Sequence, residues 1–218
     1  LTTLQEADWS RPTAFKQWTP WDVVAHLHFF DCVSLVALEG REPFAARRDA
    51  LVKEIVAGVS NTDLARREFG NLAPAELLAR WIRACHDMAK QLGESDPERR
   101  LPWFGPDMGV RMFTTARLME TWAHGQEVYD LMRVERAHTD RLRHIATIGV
   151  KTFGWTFANR KLPVPADVPY VRVTGPSSPS AGARTGDAHG SAAGSGGAER
   201  DGAVAAVVNG SSAGSGSA

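Results

Sequence analysis

After Thr19-Pro20-Trp21-Asp22, the residues Val23, His26, Phe30, Val33 and Ala37 recur at alternating steps of three and four. That spacing returns each side chain to one face of an α-helix, and a chain built from such segments must bury those faces against one another. The start of the segment is as legible as its period, with a hydroxyl N-cap, a proline at the first helical position and an acid at the third. A helix is therefore predicted from residue 19 to about residue 40, with His26 on its inward stripe. His28 points elsewhere, together with Val24, Asp31 and Leu35.

The same pattern continues along the chain. A short helix is expected over 44–59, and a longer one over 74–92 with Leu77, Trp81, Ala84, Met88 and Leu92 inward and Gly93 as its stop. A loop rich in proline and glycine, 97–109, leads to a helix over 110–132 that carries Phe113, Arg117, Glu120, His124, Val128 and Leu131 on one face. A last helix is expected over 139–159, capped by Thr139, with Leu142, Ile145, Ile148, Thr152 and Trp155 inward. Residues 1–8 read as the tail of a helix whose start is missing, and 169–173 could begin a strand. The expected class is all-α.

Composition divides the chain. Beyond Thr174, Gly, Ser, Ala and Pro dominate, and eleven of the twenty glycines of the 218-residue chain fall there. Such a segment buries too little apolar surface to offset the entropy of ordering it. The expected organisation is a helical bundle over 1–170 and a disordered Gly/Ser/Ala-rich tail over 171–218. Lys and Arg number 25 against 25 Asp and Glu, and the arginines are scattered, so nucleic acid is a disfavoured partner. No uninterrupted run of about 18 apolar residues argues for a membrane span. Cys32 and Cys85 form no C-x-x-C pair and are expected as buried, reduced thiols of a cytoplasmic protein.

Glu120 and His124 are four residues apart on a helix, so both project from one face, and His26 from a second helix can meet them. Each alone has an ordinary reading. A single buried histidine is usually a core residue bonded to a carbonyl, and E-x-x-x-H is usually a surface ion pair. Together they read differently, because three polar groups on inward stripes would each cost several kcal/mol unless partnered, and one shared cation satisfies all of them.

The segments Trp18-Thr19-Pro20-Trp21-Asp22-Val23-Val24-Ala25-His26-Leu27 and Ala116-Arg117-Leu118-Met119-Glu120-Thr121-Trp122-Ala123-His124-Gly125 resemble the metal-binding domain of mycothiol-dependent maleylpyruvate isomerase, one of the DinB/YfiT-like four-helix bundles. Nearest within that group is an actinobacterial set of metal-binding proteins also labelled with a wyosine-base-formation domain. The resemblance covers residues 1 to about 170, with the family's first helix largely missing. It implies His26, Glu120 and His124 as ligands of Zn2+ or another divalent metal, with mycothiol or a similar thiol as co-substrate and a small electrophile as substrate. The isomerase's C-terminal domain has no counterpart in the low-complexity tail, which speaks against maleylpyruvate itself as substrate. Three functions follow: a metal- and thiol-dependent transferase or isomerase, a non-catalytic metal- or ligand-binding bundle, and a role in tRNA wyosine modification. A homodimer is compatible with all three.

Weaker candidates surround this set. Arg117, one turn before Glu120, could orient its carboxylate or bind an anionic substrate, although a plain ion pair along the helix is the simpler reading. Asp31 and His28 are expected at the surface, with a supporting role behind the ligands as the alternative. Trp21, Trp81, Trp103, Trp122 and Trp155 could wall a pocket but are expected mainly as core or loop anchors. His138, His144 and His189 carry no expected chemistry.

Overall fold

A computed structural model of the chain describes residues 1–167, 171 and 173–177. A 3-10 helix, Glu6–Ser10, precedes α1 (Pro20–Glu39), α2 (Arg41–Val56), α3 (Asn61–Phe69) and α4 (Pro74–Glu94). Strands β1 (Arg100–Leu101) and β2 (Met108–Gly109) follow, then α5 (Val110–Met132), α6 (Leu142–Lys151) and α7 (Phe153–Asn159). The fold is all-α. Among the described residues the one sheet is the antiparallel pairing of Arg100 with Gly109 and Leu101 with Met108, which closes the loop that delivers α5. Contacts divide the chain into two units, Leu1–Arg136 and Ala137–Ala218. Everything concerning the site belongs to the first.

The predicted start of α1 is built as a reciprocal cap. The Asp22 N–H donates to the Thr19 hydroxyl oxygen at 3.2 Å, and the Thr19 N–H donates back to the Asp22 carboxylate at 2.9 Å. Asp22 also accepts two hydrogen bonds from Arg66 of α3, at 2.7 and 2.9 Å, so one side chain both caps α1 and pins α3 to it. Gly40 ends α1 and starts α2 at φ 143°, a conformation that side chains with a Cβ rarely adopt.

α1 packs against α2, α3, α4 and α5 and has no outward face through its middle. Val23, Val24, Ala25 and Leu27 are all fully buried, and so are Phe29, Phe44, Leu77, Leu101 and Phe113 around them. This corrects the expectation for His28 and Asp31, which are buried rather than exposed. A stripe-based reading assumes a helix with one packed side, whereas a helix that is apolar all round sits in the centre. By length and composition alone α1 could also cross a membrane; here most of it is buried within the unit.

Other boundaries moved for identifiable reasons. The helix expected over 44–59 is α2, three residues earlier at both ends (Arg41–Val56), and a separate α3 follows, started by Ser60, whose hydroxyl accepts from the Asp63 N–H at 3.1 Å. Gly93 does not stop α4, which continues to Glu94. Residues 1–8 form turns and part of the 3-10 helix instead of an α-helical tail, and Trp9 is buried. The helix expected over 139–159 begins only at Leu142, without a Thr139 cap, and is broken at Thr152. There the Thr152 hydroxyl donates to the Ile148 carbonyl at 2.8 Å, a back-bond that competes with helical continuation. The strand expected over 169–173 and nearly all of the expected tail lie outside the described residues.

Candidate metal centre

His26 is carried by the second turn of α1, and Glu120 and His124 by successive turns of α5. Each offers one donor atom, and the three atoms lie within 4.8 Å of one another. The Glu120 Oε2 faces His26 Nε2 at 3.7 Å and His124 Nε2 at 3.4 Å. These separations exceed a normal N–H···O bond of about 2.7–3.2 Å. They match the spacing of donors around one tetrahedral ion, about 3.3 Å for bonds of about 2.0–2.1 Å. No protein partner ties down the buried Nδ1 of His26, which leaves its tautomer free to present a lone pair to the shared point.

The electrostatics suit the same purpose. The His124 and His26 imidazoles, and more weakly Arg117, hold the Glu120 carboxyl well below the usual carboxylate range against the opposing effect of burial. Burial pushes the His26 imidazole down, and Glu120 opposes this only in part. An ionised carboxylate and a neutral imidazole are the forms in which these groups bind a divalent cation. The donor set thus fits a metal such as zinc, with three protein ligands and room for a further one.

An aromatic wall holds the rings in place. Trp18 stacks on His124, with centroids 5.3 Å apart and planes at 17°, and also leans on His26 at 5.0 Å. Phe15 meets His124 edge-on and Phe30 packs on His26. Trp18 is aimed by a tight turn in which Lys16 and Gln17 both adopt left-handed φ of 50° and 58°, closed by the Thr13 N–H donating to the Trp18 carbonyl at 2.7 Å. Strain of this kind in two consecutive non-glycine residues is held only where the surroundings require it. Sequence reasoning did not assign Trp18 a role; its position immediately before the cap of the His26 helix was the available signal.

Arg117 does not form the expected pair with Glu120. Its Nε and Nη2 both donate to Asp31 Oδ1, at 3.1 and 2.8 Å, and Trp81 Nε1 donates to Asp31 Oδ2 at 2.9 Å. Asp31 is wholly buried, so α1, α4 and α5 are tied together beneath the triad by one satisfied polar cluster. His28 is held apart, stacked on Phe69 at 4.5 Å with its Nδ1 3.5 Å from Cys32 Sγ. Of the tryptophans expected as possible pocket walls, Trp21 donates to the Leu72 carbonyl, Trp122 accepts through its carbonyl from Arg136, and Trp155 is half exposed in the second unit. Trp103 does line a cavity beside the triad. His138 and His144 are in the second unit, and His189 is outside the described residues.

Two cavities border the triad. One, of about 200 Å³, is walled mainly by Phe30, Trp103, Phe104 and Phe113. The other, of about 680 Å³, is lined by polar groups of the Lys16–Trp18 turn and of the α3 start, and both reach His26 and Glu120. The chain's own thiols are poorly placed for nucleophilic work. Both are only partly buried, yet burial, with Glu68 and Asp31, pushes the Cys32 thiol up to about 11, and burial also raises Cys85.

A helical domain whose interior brings two imidazoles and a carboxylate to one point beside a cavity carries the donor set from which helical bundles build carboxylate–histidine metal sites. The mycothiol maleylpyruvate isomerase N-terminal domain matches residues 1–129, and the chain belongs to that family. Two curated proteins of Mycobacterium tuberculosis, one from each of two strains and both described as uncharacterised, are each 38% identical over 169 residues. These alignments cover 78% of this chain and 65% of each relative, so the chain spans about two thirds of their length. No solved structure matches. Membership of the family makes this a mycothiol-related, metal-binding helical domain.

Proposed function

We propose that this protein is a zinc-dependent enzyme that activates a low-molecular-weight thiol, mycothiol or a close analogue, for transfer to or isomerisation of a small electrophile. The observation that carries the reading is the meeting of His26, Glu120 and His124 donor atoms within 4.8 Å of one another on the border of two cavities. A divalent ion bound there supplies Lewis acidity that makes a thiol ionise near neutral pH. The protein's residues do the rest. One negative charge from Glu120 and none from the imidazoles leave the site net positive for an incoming thiolate. Trp18 and Phe30 keep water from the imidazole faces and fix their planes, and the Asp31–Arg117–Trp81 cluster holds α5 in register with α1. With Cys32 and Cys85 protonated at neutral pH, the nucleophile is supplied from outside the chain. A cytoplasmic location, where such thiols stay reduced, belongs to the same proposal.

The test is zinc content and thiol turnover measured together. Wild-type protein is expected to hold about one zinc per chain and to consume an electrophile only when a thiol is added, while Glu120→Ala loses both. Stoichiometric zinc without turnover for any thiol and electrophile pair would leave a binding protein in place of an enzyme.

A further inference from the structure

The two cavities beside the triad differ in chemistry, and that difference bears on which electrophile the protein can take. The smaller one is walled mainly by the rings of Phe30, Trp103, Phe104 and Phe113, with Met108 and Ala116 beside them and Asn61 as its one uncharged polar side chain apart from His26. These rings form a continuous edge-to-face set, Trp103 with Phe113 at 4.9 Å, Trp103 with Phe104 at 5.3 Å and Phe30 with Phe104 at 6.3 Å. Arg117 is the one basic side chain among those lining it, and its charge is already met by wholly buried Asp31 at 2.8 Å. An anion entering would have to give up its hydration beside Glu120 and compete with Asp31 for a single guanidinium. An uncharged ring would lose nothing of the kind, and it would gain ring-edge contacts on several sides.

Size points the same way. An apolar cavity of about 150 Å³ holds a benzene ring. At about 200 Å³ this chamber has room for one ring with a short substituent, and its inner end opens on His26 and Glu120. The larger cavity adjoins it, sharing His26, Asn61 and Glu120, and adds Lys16, Gln17, Ser60, Thr62 and Asp63 beside the apolar Phe15, Trp18, Ile55 and Val59, which suits a hydrogen-bonding molecule with an apolar part.

We propose that the aromatic chamber between α1, the β1–β2 loop and α5 binds the uncharged, ring-sized apolar end of the electrophilic substrate, and that the adjoining, more polar cavity receives the thiol. This rests on the thiol-transfer reading for the role of the bound group, but the binding itself requires neither metal nor thiol. It makes the chamber selective for neutral aromatic or alkyl groups over a carboxylate at that end of the substrate.

Benzyl alcohol and benzoate, matched in size and differing in charge, test it. Binding of each to the full chain is followed by quenching of tryptophan fluorescence and by ligand-observed NMR, with and without added zinc. Benzyl alcohol is expected to bind roughly tenfold or more tightly than benzoate to the zinc-free protein and to keep its affinity when zinc is added, and Ala116→Leu, which fills the chamber, is expected to abolish that binding while far-UV circular dichroism is unchanged. Should Ala116→Leu fail to fold, Ala116→Val serves, with a weakened rather than lost signal. Equal or tighter binding of benzoate to the zinc-free protein, or benzyl alcohol binding indifferent to the Ala116 variants, overturns the proposal. The failure of the thiol reading is separately visible: it shows as absent zinc or absent turnover in a protein that still binds benzyl alcohol.

Discussion

His26 and His28 lie two residues apart on α1 and are equally buried, each 6% exposed, yet their surroundings differ completely. His26 looks across to a carboxylate and a second imidazole on α5, whereas His28 stacks on Phe69 and meets only the Cys32 sulfur. Burial lowers the proton affinity of both, so neither burial nor charge state separates a candidate ligand from a core histidine here. Convergence does. A buried imidazole becomes a metal ligand when other donors reach the same point, and that depends on which helix packs on which side of α1.

The sharpest test of this contrast is the pair His26→Ala and His28→Ala. Zinc affinity is expected to fall by more than about 100-fold in the first, beyond what loss of a supporting residue causes, and to stay unchanged in the second; competition with a chromophoric chelator reads both. An unchanged affinity in His26→Ala would erase the distinction.

The next test concerns the Asp31–Arg117–Trp81 cluster on the same helix. Asp31→Ala strands the Arg117 guanidinium in the interior, so stability in urea is expected to drop by about 3–5 kcal/mol. Replacing both partners by apolar residues is expected to recover most of that loss, because the cost is an unpaired buried charge and not a missing attraction. If the double variant is no more stable than Asp31→Ala, the cluster contributes by packing instead.

A smaller effect should appear in acid, at the far end of α1 from that cluster. Burial alone would raise the Asp22 carboxyl, but the Arg66 guanidinium and the Thr19 cap outweigh it and hold the group below its ordinary value of 3.8. The folded state therefore binds that proton less readily than the unfolded chain. The resulting stability is complete above the ordinary carboxylate range and is lost as pH falls through the depressed value. Melting temperatures between pH 2 and pH 6 are expected to fall less steeply for Asp22→Asn than for the wild type, from a lower starting point. Parallel curves would show that Asp22 contributes no pH dependence.

Much of this was legible in the chain because it is local. The Thr19-Pro20-x-Asp22 start, the bounds of α5 and the one-face placement of Glu120 and His124 follow from hydrogen bonding within a few residues and from the 3.6-residue period. The Ser60-x-x-Asp63 start of α3 was also written locally and was passed over, since the apolar period beside it is short. Nothing local announced the burial of Asp31 and His28, because a period reports the relative directions of side chains and not how many neighbours surround the helix. Arg117 shows the same limit: its partner lies 86 residues away on α1 instead of one turn along α5.

By itself, the sequence determined most of the helices and the face each donor occupies, since short-range sterics and hydrogen bonding decide these, and its motifs carried the family likeness. Only the tertiary structure decided that α1 is enclosed, that Trp18 braces the imidazoles, that Arg117 answers to Asp31, and that one cavity beside the triad is mainly aromatic and the adjoining one more polar. Those outcomes depend on which surfaces meet, and contacts between residues distant in the chain are set by the packing of the whole unit.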